Sequence, residues 1–186
     1  MCSKAHALTL PEQVIKEAKS LSSIREKTIN NDHPEIDRML ADLGLPKGLS
    51  WCLAFCIRCY KKACDFLGMI NPLPKIARCS RFYSLAKGDP SRFLVISRER
   101  AAWGVYELKP ADVSIWSHNR TANNNNWNGH AGIVISPVKE GRFKTIEGNT
   151  TPGPEGNQRE GGGVYVRERS LAPGVFQIEG FVRPLL

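Results

Sequence analysis

The chain has 186 residues, 41% of them hydrophobic and 24% charged, with a formal net charge of +8. That size and balance suit a single soluble domain able to bury a core without disulfides or metal. They exclude a membrane span, because no apolar run nears the roughly 18 residues one needs. The first residues, Met1 to Ala7, carry no apolar segment of signal-peptide type. The positive charge favours anionic partners. No zinc finger, basic zipper or aromatic RNA-binding signature accompanies it, so a nucleic-acid module is not expected.

Thr9 and Glu12 have capping-box spacing, with Pro11 in the first turn, and this predicts a helix start. Val14, Ala18, Leu21 and Ile24 then follow at helical intervals. Asp32 and Glu35 repeat the spacing around Pro34. Ile36, Met39, Leu40 and Leu43 supply an apolar stripe ending at Gly44. A third helix is expected from about Trp51 to Leu67, stopped by Gly68 and capped by Ser50. Phe55, Cys56, Cys59, Tyr60 and Ala63 would face the core. A short helix over 80–86 follows the turn Asn71-Pro72-Leu73-Pro74.

The segment 88–107 is the least readable, and Phe93 to Ile96 fits either strand or helix. From Pro110 the pattern changes to strands, at 112–116, 131–136, 143–147, 163–167 and 175–183, separated by Gly, Pro and Asn turns. The Asn-rich stretch 119–128 reads as a surface loop. A run of helices (about 9–87) followed by a run of strands (about 110–186) implies an α+β fold. Short connections favour an antiparallel sheet of about five strands.

The chemistry centres on Cys52, in the first turn of the third helix. Unpaired N–H groups and the helix dipole there favour thiolate and can stabilise an oxyanion. A thiolate needs a base. Of the four histidines, His130 opens a strand beside the small residues Ala131 and Gly132, and it ranks ahead of His118. Glu147 ends the next strand and would orient His130 across the ladder, with Asn149 two residues on and on the same face. Asp112 reads as a turn or cap residue. Trp51 and Trp127 are the candidate substrate-stacking residues, with Trp127 the better placed in the Asn-rich loop.

Six cysteines stand at 2, 52, 56, 59, 64 and 79. Cys52 and Cys59 would lie about 10 Å apart along one helix, beyond disulfide reach, so mostly reduced thiols are expected. Cys56, Cys59 and Cys64 read as core residues. The spacing Cys52-x3-Cys56-x2-Cys59 also matches an iron–sulfur motif of radical enzymes. That motif belongs to a loop in a large barrel, not to a helix in a short chain.

Taken together, Trp51-Cys52-x-x-Phe55, Asp112 before an apolar strand, Gly129-His130-x-Gly132 and Glu147-x-Asn149 resemble the CHAP amidase/peptidase group. The resemblance covers roughly residues 20 to 150. Ser50 stands where many members carry Pro, and Ala111 where Gly commonly precedes the Asp. The resemblance implies a papain-like fold and hydrolysis of peptidoglycan amide bonds. Cys52 would be nucleophile, His130 base, Glu147 orienter and Asn149 a supporting polar group, with no metal or cofactor. It implies peptidoglycan as partner; the missing signal-type segment and the reduced thiols fit synthesis in the cytoplasm, and a monomer is expected. Such a chain would act on the wall after export, injection or lysis, as a phage lysin or an antibacterial effector with a cognate immunity protein. A wall-binding module of the same fold without turnover is the alternative.

Overall fold

A computed structural model describes residues 8–28, 30–118, 127–152, 161–173 and 177–186. Five helices and one sheet form in the order α1 (Leu10–Ser20), α2 (Pro34–Ala41), α3 (Cys52–Leu67), α4 (Cys79–Gly88), β1 (Phe93–Ser97), α5 (Arg98–Ala102), β2 (Val113–Ser117), β3 (Gly129–Val134), β4 (Arg142–Thr150), β5 (Gly163–Ser170) and β6 (Gln177–Pro184). The fold is α+β. All six strands join one antiparallel sheet in the order β1-β6-β2-β3-β4-β5. Among the described residues, no helix is long and apolar enough to cross a membrane.

Helix α1 starts where expected. Thr9 caps it, and the Glu12 carboxylate returns to the Thr9 N–H at 2.8 Å. The start of α2 differs. His33, not Asp32, is its cap, with Nδ1 accepting the Glu35 N–H at 3.1 Å. Asp32 instead closes the preceding turn by accepting the N–H and hydroxyl of Thr28. Helix α3 ends at Gly68 in the left-handed region (φ 68°), as expected.

The sheet has six strands where about five were expected. The extra one is β1, and its identity is settled by pairing: Ile96 lies opposite Phe181 on β6. Local pattern could not reveal a partner more than 80 positions away. Of the strand expected over 175–183, the described part is Gln177–Pro184; 174–176 lie outside the described residues. The Asn-rich loop expected at 119–128 also falls mostly outside them, at 119–126.

The strands alternate their apolar residues between two faces. Val113, Ile115, Ala131, Ile133 and Ile146 pack against the helices, where Leu53, Phe55, Cys56, Cys59 and Ala63 of α3 are buried. Trp116, Val134, Phe143 and Phe181 form a second cluster on the other face, with Ala101 of α5 and Leu108. Two tyrosines fasten the helices to the sheet: Tyr60 Oη donates to the Ala111 carbonyl and Tyr83 Oη to the Glu179 carbonyl, each at 2.7 Å. Ala111 itself is left-handed (φ 74°). The turn into β2 therefore has the geometry that glycine adopts freely, held here by an alanine whose methyl is buried.

Candidate active site

Helix α3 crosses the sheet so that its N-terminus lies at the ends of β2 and β3. Gly148 of β4 allows the approach. A Cβ there would stand 2.5 Å from the Trp51 ring and 2.7 Å from Phe55 Cβ. Trp51 is fully buried, edge-on to Phe55, and its indole N–H donates to Glu26 Oε1 at 3.0 Å. The candidate stacking residue Trp51 is thus placed in the core, with no face open to a ligand. Its visible work is to fix the residue after it, Cys52.

Cys52 is the first residue of α3, one position earlier than a Ser50 cap would give. The cap is Trp51, which makes no side-chain capping hydrogen bond. The first-turn N–H groups of α3 are therefore not satisfied by a capping side chain, and Ser50 lines the groove instead. Cys52 Sγ lies 4.0 Å from the Gly129 carbonyl.

Three groups surround that sulfur. Cys79, the first residue of α4, lines the groove with it and is the largest influence holding the Cys52 thiol well below its ordinary pKa. Burial opposes this, while His130 and the Ala131 N–H act in the same direction as Cys79. The Cys79 thiol is pushed up by Cys52 and by its own burial. Cys56, Cys59 and Cys64 are likewise pushed up by burial. Cys52 is the one thiol of this set shifted towards thiolate. The spacing Cys52, Cys56, Cys59 gathers no metal donors, and among the described residues no group of His, Cys, Asp and Glu could hold a metal ion.

His130, on β3, sits between Cys52 and Glu147. Its Nε2 is 2.9 Å from Glu147 Oε2, which leaves Nδ1 for the sulfur. Burial disfavours charge on the ring, but hydrogen bonds to Cys52 and Glu147 outweigh it and push the pKa up to about 9. Trp116 covers the ring at 5.5 Å between centroids.

Glu147 is fully buried. Thr145 Oγ1 donates to its Oε1 at 2.5 Å, and Arg169 Nε donates to the same oxygen at 2.7 Å. A second Arg169 nitrogen donates to Oε2. Burial alone would raise the carboxyl pKa, yet Arg169 and His130 hold it at about 2. Because Gly148 faces α3, Glu147 points the other way, towards the second apolar cluster. The thiol and the carboxylate thus approach His130 from opposite faces of the sheet.

Asn149 does not continue the strand alternation that would have set it beside Glu147. The β4–β5 register breaks between Glu147 and Thr150, and Asn149 is left-handed (φ 56°). The bulge turns it into the groove with Cys52 and His130. It is 2% exposed, and its Oδ1 has no hydrogen-bond partner among the described residues.

The groove holds about 670 Å³, a volume suited to a several-residue ligand. Trp127 forms part of its wall but is itself buried, packed on Gly129, where a Cβ would stand 2.6 Å from the indole. His118, the lower-ranked base, also lines the groove. Asp112 lies outside it. As a turn residue it accepts the Lys109 N–H at 2.8 Å and a paired contact from Arg183. Four contributors had not been singled out as part of the site: Cys79, Thr145, Arg169 and Glu26. Only Arg169 left a trace in sequence, as a charge in a strand that also carries Val164 and Val166. Compared with family models, curated proteins and solved structures, the chain finds no match.

Proposed function

We propose that this chain is a cysteine hydrolase of the papain-like, CHAP-resembling kind and that it cleaves an amide bond in bacterial peptidoglycan. The observation that carries the reading is His130, shared between a thiol drawn towards thiolate and a carboxylate that is buried, ionised and fixed. Imidazole between those two groups is the arrangement that nucleophilic acyl transfer requires.

In this reading Cys52 and His130 rest as a thiolate–imidazolium pair. The thiolate attacks the carbonyl carbon, and the oxygen takes up negative charge beside the first-turn N–H groups of α3. His130 passes its Nδ1 proton to the leaving amine. Water, deprotonated by His130, then cleaves the thioester and releases the acid. Glu147 does not exchange protons in the cycle. It holds the ring orientation and supports the imidazolium. The wall as substrate follows from the motif resemblance. The open, several-residue groove is compatible with a branched glycopeptide.

The test is digestion of purified sacculi with mass spectrometry of the released fragments, run beside Cys52→Ala. The parent should release fragments whose masses identify the bond, and the variant should be slower by about 10⁴- to 10⁶-fold. Equal digestion by the two proteins would refute the assignment. The proposed setting is a lysin or an antibacterial effector. For an effector, an immunity protein would co-purify from the source and block sacculus digestion. Killing of target cells that possess no such protection would speak for a lysin.

A further inference from the structure

The groove is asymmetric in charge. Of its lining residues three are cationic, Lys75, Arg78 and Arg81, and among the described residues none is acidic. The three cations are exposed and make no ion pair within the described structure. Elsewhere Arg58, Lys61, Lys62, Arg142 and Arg183 are paired with carboxylates. The cations cluster around the start of α4, whose cap, Arg78, makes no side-chain capping hydrogen bond. The positive end of that helix therefore adds to the same field. Cys79 follows Arg78 directly and lines the same groove as Cys52, so this basic end shares the cleft with the nucleophile.

A second, independent observation marks the groove as a ligand site. The Asn149 side chain is 98% removed from solvent, lines the groove and carries an oxygen with no partner. A buried acceptor without a donor is destabilising, and a ligand N–H would satisfy it.

Resting on the hydrolase reading above, we propose that the substrate carries a free carboxylate close to the scissile amide, and that Lys75, Arg78 and Arg81 select it. The stem peptide of a cell wall offers such carboxylates, and in amidated walls it offers carboxamides of nearly the same shape. The groove discriminates between them by charge. Arg78 and Arg81 offer planar donor pairs that match a carboxylate, and Lys75 adds a point charge. A carboxamide presents one acceptor and an N–H₂ group that the guanidinium donors repel.

The experiment uses two synthetic muramoyl peptides, identical except that carboxylates in one are carboxamides in the other. Hydrolysis by the parent should favour the acid by about tenfold in kcat/KM, the scale expected for a few solvent-accessible charge contacts. Arg78→Gln with Arg81→Gln should erase the preference, while Arg142→Gln, a surface cation outside the groove, should leave it intact. Calorimetric binding of the same two peptides to the Cys52→Ala protein supplies a readout independent of turnover. Preference for the acid there, without hydrolysis by the parent, would uphold the carboxylate site and defeat the hydrolase reading. Equal binding and equal turnover of the two peptides, or no binding of either, would overturn the proposal.

Discussion

Glu147 reaches His130 by passing over the bare α-carbon of Gly132. A Cβ at position 132 would stand 2.5 Å from Glu147 Cγ. The β3–β4 register pairs Ile133 with Ile146, so the carboxylate meets the imidazole on the diagonal rather than directly across. Gly132 is the gap through which it does so. Gly132→Ala should displace the carboxylate and free the ring to rotate. Expected is a fall in kcat of about 10²-fold with little change in KM, since misplacement near 1 Å has that cost. A lower imidazole pKa, read by NMR titration, should accompany it. Unchanged kinetics would show that Glu147 does not orient the base.

Arg169 compensates the charge on Glu147 in a place that water does not reach. Arg169→Ala leaves a buried carboxylate with only His130 and Thr145, and breaking such a pair costs about 3–5 kcal/mol. For a chain of this length that lowers Tm by roughly 6–20 °C. Arg169→Lys should recover little of it, because one ammonium cannot reproduce two guanidinium donors on two oxygens. Differential scanning fluorimetry on the three proteins decides the point.

The pH dependence has a defined sign on each side. Glu147 has a pKa of about 2, below the ordinary 4.5, so its stabilising contribution is complete above 4.5 and disappears as pH falls towards 2. His130 is raised to about 9 from 6.5, so its contribution is complete below 6.5 and is lost as pH rises through 9. Thermal unfolding across pH should show both declines, and Glu147→Gln should lack the acid one. The same variant should move the alkaline limb of the activity profile to lower pH, because the imidazolium loses its carboxylate.

The cysteines should differ sharply in reactivity. At neutral pH iodoacetamide should alkylate Cys52 and spare Cys56, Cys59, Cys64 and Cys79, as peptide mapping would read. Cys79→Ala removes the largest influence favouring the thiolate. It should raise the pH at which Cys52 reacts and slow alkylation in mildly acidic buffer. Equal labelling of Cys52 and Cys56 would contradict the assignment of the nucleophile.

What sequence made legible was local. The Thr9–Glu12 box and the Gly68 stop are decided within a few residues, and both ends formed as expected. His130 and Glu147 could be paired in advance because strand alternation and a short connection bring them together. The misplacements have longer-range causes. Trp51 replaces Ser50 at the α3 cap because its indole is anchored to Glu26, 25 positions earlier. Strand β1 is defined by β6. Trp127 is buried because Gly129 leaves room for its ring. Arg169 joins the site through a β4–β5 pairing that single-strand periodicity cannot specify, and Asn149 does so through a bulge.

The opposed approach to His130 has a practical consequence. Glu147, Thr145 and Arg169 belong to the side of the sheet that carries α5 and Leu108, away from the groove. A compound lodged on that rear side and drawing Arg169 off the carboxylate would weaken the base without ever meeting substrate. Its inhibition would be noncompetitive, and raising substrate concentration would not relieve it. Compounds chosen only for fitting the front cleft would leave this second address unexplored.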